Sequence, residues 1–336
     1  MIAQDTSTPR DFFQRPLRDL RISVTDNCNF RCTYCMPASE KYTFLKKDEW
    51  LNFKEIQLLA SLFVKAGVKK LRITGGEPLL RPNLSDLIKD LSELAIEDLS
   101  ITTNGYLLKP HLIPLFQAGL KRLTVSLDSI HGDTFSTMSG GRYEVHRVLD
   151  NLEKAREIGF ESIKVNCVVQ RGVNDHQIED LLKWCCSRGL IPRFIEYMDV
   201  GNKNQWMAAE VVPSSEILSR LSQHYNVVPM EENYFGEVAS RYLLDDKWEI
   251  GFISSVSQPF CGSCTRARLS TDGKIYTCLF SGQGTEVKSL LRSKASPEDI
   301  FDFLTQLWKK RNDRYSEVRS TEGVSREKVE MYQIGG

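Results

Sequence analysis

Six short β-rich runs, separated by stretches with helical spacing, constrain this chain more than any other feature. LRISVT (20–25), KKLRIT (69–74), LSITT (99–103), RLTVSL (122–127), IKVNCVV (163–169) and RFIEYM (193–198) predict strands. Between them, FKEIQLLASLFVKAG has Asn52 as a candidate N-cap and Gly67 as its stop. LSDLIKDLSEL, HLIPLFQAG, EVHRVLDNLEKAREIG and HQIEDLLKWCCSRG predict the other helices. Strands that alternate with helices imply a parallel sheet, because parallel neighbours need crossover connections. Right-handed crossovers curl such a sheet into a doubly wound form or an incomplete barrel, and periodicity leaves both open. In either, chemistry gathers at the C-terminal ends of the strands.

The alternation stops near residue 205. A helix around PSSEILSRLSQHY leads into short strands and Gly turns over about 230–285, then a helix around PEDIFDFLTQLWKKR and a polar tail ending in Gly-Gly. The division expected is a core over 12–230 and a C-terminal region over 231–336. The 44 basic and 44 acidic residues balance, so no global field attracts nucleic acid or an anionic membrane, and any anion site must be a local cluster of Lys and Arg. The first sixteen residues lack the apolar core of a signal peptide, and no run approaches the roughly eighteen apolar residues of a membrane helix. A cytoplasmic protein with reduced thiols is expected, and the odd count of nine cysteines agrees.

Six of those cysteines form two tight sets. Cys167, Cys185 and Cys186 sit in apolar or helical surroundings and read as small buried hydrophobes. Cys28, Cys32 and Cys35 form C-x3-C-x2-C just after the first predicted strand. A 4Fe-4S cubane needs one ligand per iron, so three thiolates leave the fourth iron open to a small molecule. Zinc competes, but structural zinc fills four positions from the protein, and the histidine nearest this set in sequence is His111. Cys261, Cys264 and Cys278 form C-x2-C-x13-C, a spacing that would also suit a zinc ribbon lacking its fourth ligand. Arg266 and Arg268 lie between these cysteines, and on an extended strand a spacing of two puts both on one face, suited to phosphate oxygens.

C-x3-C-x2-C with Tyr34 before the last cysteine resembles the signature of the radical S-adenosylmethionine superfamily. RPLRDLRISVTD, RITGGEP, TTNG, VSLD, KVN, RFIE-x-MDVG, YFGEVA, TRARLS-x-DGK and the final GG resemble, in order, the GTP 3',8-cyclase family of molybdenum cofactor biosynthesis. The resemblance implies an α/β fold: an incomplete (β/α)6 TIM-like barrel of parallel strands with a smaller C-terminal α+β region carrying a second cluster. It implies two 4Fe-4S clusters and S-adenosylmethionine as cofactors, with Tyr34, Gly76, Ser126 and Met198 at cofactor contacts. The glycine pair Gly75–Gly76 reads as a place where backbone approaches that ligand closely. Arg21, Lys70, Arg72, Thr102, Lys164, Arg193, Arg266 and Arg268 fall on GTP-contact positions. Gly335 and Gly336 resemble a tail that reaches into the active site, and the resemblance implies catalytic roles for Arg266, Arg268, Gly335 and Gly336. Asn27 departs from the pattern, standing where the family commonly has arginine.

The activity so implied is hydrogen removal from the ribose 3'-carbon of GTP by a 5'-deoxyadenosyl radical, then attack on carbon 8 of guanine. Its partners would be GTP, an external electron donor and a cyclic pyranopterin monophosphate synthase that takes the product, with a homodimer conceivable. Two rivals stand beside it: a radical enzyme with an auxiliary cluster acting on a peptide, and a zinc-bound adaptor or nucleic-acid module. The cyclase reading requires both thiolate sets to face one cavity.

Overall fold

The computed structural model describes residues 8–319 and 327–335. The six predicted strands are present as β1 (Asp19–Ser23), β2 (Lys70–Thr74), β3 (Asp98–Thr103), β4 (Arg122–Ser126), β5 (Ser162–Val169) and β6 (Ile191–Glu196). They pair in that order, all parallel. The intervening helices also form where spacing places them. Asn52 caps Phe53–Lys65 by accepting from the Glu55 amide at 2.9 Å while Glu55 reaches back to the Asn52 amide at 2.8 Å. Gly67, at φ 107°, ends the segment. A helix over Gly132–Ser139 is present that the periodicity does not single out.

The C-terminal strands do not build a sheet of their own. These are β7 (Val227–Met230), β8 (Ser240–Leu244), β9 (Trp248–Ile253), β10 (Arg266–Leu269), β11 (Lys274–Tyr276) and β12 (Thr285–Glu286). The single sheet runs β12-β11-β10-β1-β2-β3-β4-β5-β6-β9-β8-β7. A six-stranded parallel sheet leaves open backbone groups along β1 and β6. β10 joins β1 and β9 joins β6, both in parallel, so each exposed edge is paired. Antiparallel hairpins then finish the two ends. Among the described residues no helix is long and apolar enough to cross a membrane.

Alternation along the strands sorts the two faces. Leu20, Ile22, Leu71 and Ile73 are fully buried in the main apolar core with Leu59, Phe63, Leu87 and Leu91 of the covering helices. Asp19, Arg21, Lys70 and Arg72 point the other way, into a cavity. A parallel strand covered on both faces ordinarily reads as an apolar run. The DLRIS and KLRIT patterns depart from that, and the departure marks the cavity. Residues of all six parallel strands, from Arg21 on β1 to Arg193 on β6, line that one cavity, so the sheet curls around it. Cys167, Cys185 and Cys186 are buried in the apolar core, as their surroundings predict.

Candidate active site

The loop after β1 carries the first cysteine set, and the end of β2 holds that loop in place. The Gly76 amide donates to the Thr25 carbonyl at 2.7 Å and the Glu77 amide to the Asn27 carbonyl at 2.8 Å. A Cβ on Gly75 would strike the Thr25 carbonyl, and one on Gly76 the Asn27 carbonyl. The steric demand for these two glycines therefore comes from the cysteine loop itself, a partner the sequence does not name. Asn27 acts through its backbone in this contact. Glu77 is fully buried and accepts from the Thr103 hydroxyl at 2.7 Å, the Asn104 amide at 2.8 Å and the Leu79 amide at 3.1 Å. Burial outweighs those donors and raises its pKa to about 7.

All six clustered cysteines line one cavity of about 300 Å3, at the lower end for a ligand pocket. The sets differ electrostatically. Burial pushes the Cys28 thiol up to about 12 and raises Cys32 and Cys35 well above the usual thiol range. Burial also raises Cys278 to about 12. At Cys264 burial acts the same way, but the guanidiniums of Arg266 and Arg311 more than offset it and bring the thiol down to about 7. Each guanidinium donates to Cys264 Sγ at 3.2 Å. Among the described residues no three ligand-type side chains converge on a single-ion point. Three thiols per set, on a shared wall, suit a group that takes each sulfur on a separate metal atom.

The register of the sheet arranges the cations. Arg268, Arg21 and Arg72 stand opposite one another on β10, β1 and β2. Adjacent strands lie about 4.8 Å apart, and like charges directly opposite are destabilising. The next row, Arg266–Asp19–Lys70–Asp98, alternates in sign. The arginine row has no such compensation. Burial, then Arg268, Arg72 and Arg266, hold the Arg21 pKa well below its usual value. Burial and Arg266 bring Arg268 down to about 10, and burial and Arg72 do the same to Arg193. Lys164 falls to about 7 through burial and the charges of Arg193, Arg122 and Arg72. No ion pair or hydrogen bond is made by the side chains of Arg21, Arg72, Lys164 or Arg193 among the described residues. Thr102 Oγ1, Asn166 Oδ1 and one Arg266 nitrogen are likewise buried without a partner. Such a site is built for an anion with many oxygens.

Most of the remaining predicted positions line the same cavity. Tyr34, Gly76, Ser126 and Met198 all line it, with Thr102, Lys70 and Arg193. The Tyr34 hydroxyl donates to Asp128 at 2.8 Å, and Asp128 also accepts the Val168 amide at 2.9 Å. Lys164 is on the same strand face as Asn166 and Val168, which line the cavity beside Arg193. Gly335 is buried and its carbonyl accepts from Arg268. Gly336 lies outside the described residues. Sequence reasoning gave no role to Glu77, Asp128 or Arg311. The first two sit inside the GGEP and VSLD motifs, which was the available signal, while nothing near Arg311 offered one.

A family model for the Radical SAM superfamily matches residues 22–185, and one for Molybdenum Cofactor Synthesis C matches residues 191–317. The chain is 47% identical over 324 residues to a GTP 3',8-cyclase of Acidothermus cellulolyticus, covering 94% of this chain and 90% of the relative. It is 48% identical over 332 residues to a GTP 3',8-cyclase of Xanthomonas campestris pv. campestris, covering 97% of each. Among solved structures, Streptococcus suis SuiB bound to precursor peptide SuiA is similar with a TM-score of 0.60 at 15% identity. That match spans 93% of this chain and 68% of SuiB, and it shows a shared fold alone.

Proposed function

The chain belongs to the GTP 3',8-cyclase family, and on that premise we propose how its own residues carry the reaction. It is a radical S-adenosylmethionine enzyme of molybdenum cofactor biosynthesis that converts GTP to (8S)-3',8-cyclo-7,8-dihydroguanosine 5'-triphosphate. Its cofactors are two 4Fe-4S clusters and S-adenosylmethionine. When bound, they supply the one-electron chemistry that removes the ribose 3'-hydrogen and an open iron that receives guanine.

Cys28, Cys32 and Cys35 hold the first cluster, and Cys261, Cys264 and Cys278 the second. Tyr34, Gly76, Ser126 and Met198 face S-adenosylmethionine. Asp128 fixes the Tyr34 hydroxyl, so that ring has one orientation. Arg21, Lys70, Arg72, Lys164, Arg193, Arg266 and Arg268, with the Thr102 hydroxyl, hold the triphosphate. Arg266 and Arg268 also act at the reacting end, with Gly335 and Gly336 of the tail. These residues work by position: well-oriented reactants gain effective molarities of about 10^5 M or more, which a clamped triphosphate can supply. The core over 12–230 furnishes the first cluster and most cations, and 231–336 the second cluster and the tail. An external electron donor reduces the enzyme in the cytoplasm, the product passes to cyclic pyranopterin monophosphate synthase, and the chain can pair as a homodimer.

One observation carries the assignment: both cysteine sets and an uncompensated arginine row open on a single cavity. Close relatives that are cyclases, and a cavity built for a polyanion, favour GTP over a peptide. Anaerobic incubation with GTP, S-adenosylmethionine and a reductant tests it. The cyclised triphosphate and 5'-deoxyadenosine are expected. Iron-replete enzyme that forms neither refutes it.

A further inference from the structure

Beside the second cysteine set lies a buried ion network to which the proposed reaction assigns no role, with Arg311 and Asp313 at the cavity wall. Asp11 (2% exposed), Arg15 (1%) and Arg311 (5%) meet where the N-terminal segment passes the end of the helix Pro297–Lys309. Asp11 Oδ2 accepts from Arg15 Nε at 2.6 Å and from an Arg311 nitrogen at 3.3 Å. Arg15 then donates to the Cys261 carbonyl at 2.7 Å and the Asp313 carbonyl at 2.9 Å. Arg311 donates to the Asp313 carboxylate at 3.3 Å, to the Cys264 carbonyl at 2.7 Å and to Cys264 Sγ at 3.2 Å.

Two arginines and two aspartates make this network neutral by itself, so charge balance does not require the sulfur contact. Direction decides the matter. Arg311 is stacked against Trp308 and tied to Asp11 and Asp313, which leaves one nitrogen no freedom except to point at Cys264. Arg266 reaches the same sulfur from β10. Neither Cys261 nor Cys278 receives a side-chain hydrogen bond on sulfur among the described residues. The three thiolates are therefore unequal.

We propose that Arg311, fixed by Asp11 and Asp313, is a positioning residue for the second cluster that orients and hydrogen-bonds the sulfur of Cys264. The proposal rests on the reading of Cys261, Cys264 and Cys278 as iron ligands. Partners that orient metal ligands change metal affinity by about 10–100-fold when removed, and hydrogen bonds to cluster sulfur raise its reduction potential.

The test uses the full chain with Cys28, Cys32 and Cys35 replaced by Ser, so that the second cluster alone absorbs. Into this parent go Arg311→Gln, Arg311→Lys and, as a control, Arg15→Lys, which alters the network without touching sulfur. Iron and sulfide content, loss of absorbance in a chelator and the cluster's reduction potential are read anaerobically. Arg311→Gln should lose iron about 10-fold faster or more and titrate at a more negative potential, with Arg311→Lys between it and the parent. Arg15→Lys should keep the parent's potential. If Arg311→Gln fails to melt cooperatively, Arg311→Lys decides alone. An unchanged potential and chelation rate at position 311, or an equal shift in Arg15→Lys, overturns the proposal. A parent that binds no iron instead overturns the ligand assignment itself.

Discussion

Gly335→Ala should disable the enzyme while leaving the fold intact, and the structure separates two causes. Gly335 has φ 72° and ψ 134°, a region that is nearly glycine-only. Holding alanine there costs about 1–3 kcal/mol. An added Cβ would also overlap the Thr74 methyl and approach its Oγ1 to 2.8 Å and its Cβ to 3.0 Å. Thr74 is buried at the end of β2, beside the glycine pair, so it has little room to move. Overpacking of this kind costs about 1–3 kcal/mol more. Even the lower sum, about 2 kcal/mol, lowers the equilibrium constant for docking the tail about 30-fold. The Arg268 guanidinium then loses the Gly335 carbonyl. The assay is kcat/KM for 5'-deoxyadenosine formation with GTP, beside hydrogen exchange of the segment 327–334. A loss of activity of up to about 30-fold at that lower sum, faster exchange and an unchanged melting temperature are expected. Thr74→Ala in the same chain should recover the steric part but not the backbone part. Full activity in Gly335→Ala, or no recovery in the double variant, refutes the reasoning.

If Lys164 meets the triphosphate as proposed, GTP binding should take up a proton. Its folded pKa of about 7 lies below the ordinary 10.5, so the stability it contributes is present above 10.5 and is lost as pH falls through 7. A bound triphosphate reverses that, and calorimetry at pH 8 in buffers of different ionisation enthalpy should show uptake of about 0.9 proton, absent in Lys164→Met. Arg21→Met should raise the Kd for GTP about 10–100-fold yet stabilise the ligand-free chain by about 1 kcal/mol, since it removes a part-buried cation whose repulsion by Arg268, Arg72 and Arg266 outweighs its attraction to Asp19; a fall in melting temperature counts against the uncompensated row. Cys185→Ala should cost about 1–2 kcal/mol of stability and leave iron content unchanged, because that thiol belongs to the apolar core; loss of iron would show otherwise.

How much of this was readable from the sequence depends on whether the information was local. The six strands and the Asn52 cap were legible because β-branched runs and a capping box act within a few residues of themselves. Which edges β9 and β10 would cover was not legible, because a short strand names its own conformation and not its partner. The demand for Gly75 and Gly76 was visible, but one source of it was not: the Thr25 and Asn27 carbonyls that forbid a Cβ lie some fifty residues away. Arg311 was invisible for the same reason, since its meaning comes from Asp11, three hundred residues earlier.

The spacing of two between Arg266 and Arg268 gains its meaning from what the sheet puts around it. On β10 both side chains share the cavity face, yet they serve different neighbours. Arg266 lies opposite Asp19 and turns to Cys264 Sγ, so its charge is partly balanced by carboxylate and sulfur. Arg268 lies opposite Arg21, with Arg72 beyond, and its donor goes to the neutral carbonyl of Gly335. A carbonyl cannot cancel a cation, so repulsion along that row persists when the tail is docked. Substrate phosphate can cancel it. The tail therefore aligns Arg268 without spending its charge, and one strand of four residues ties the second cysteine set, the tail and the anion site into a single geometry.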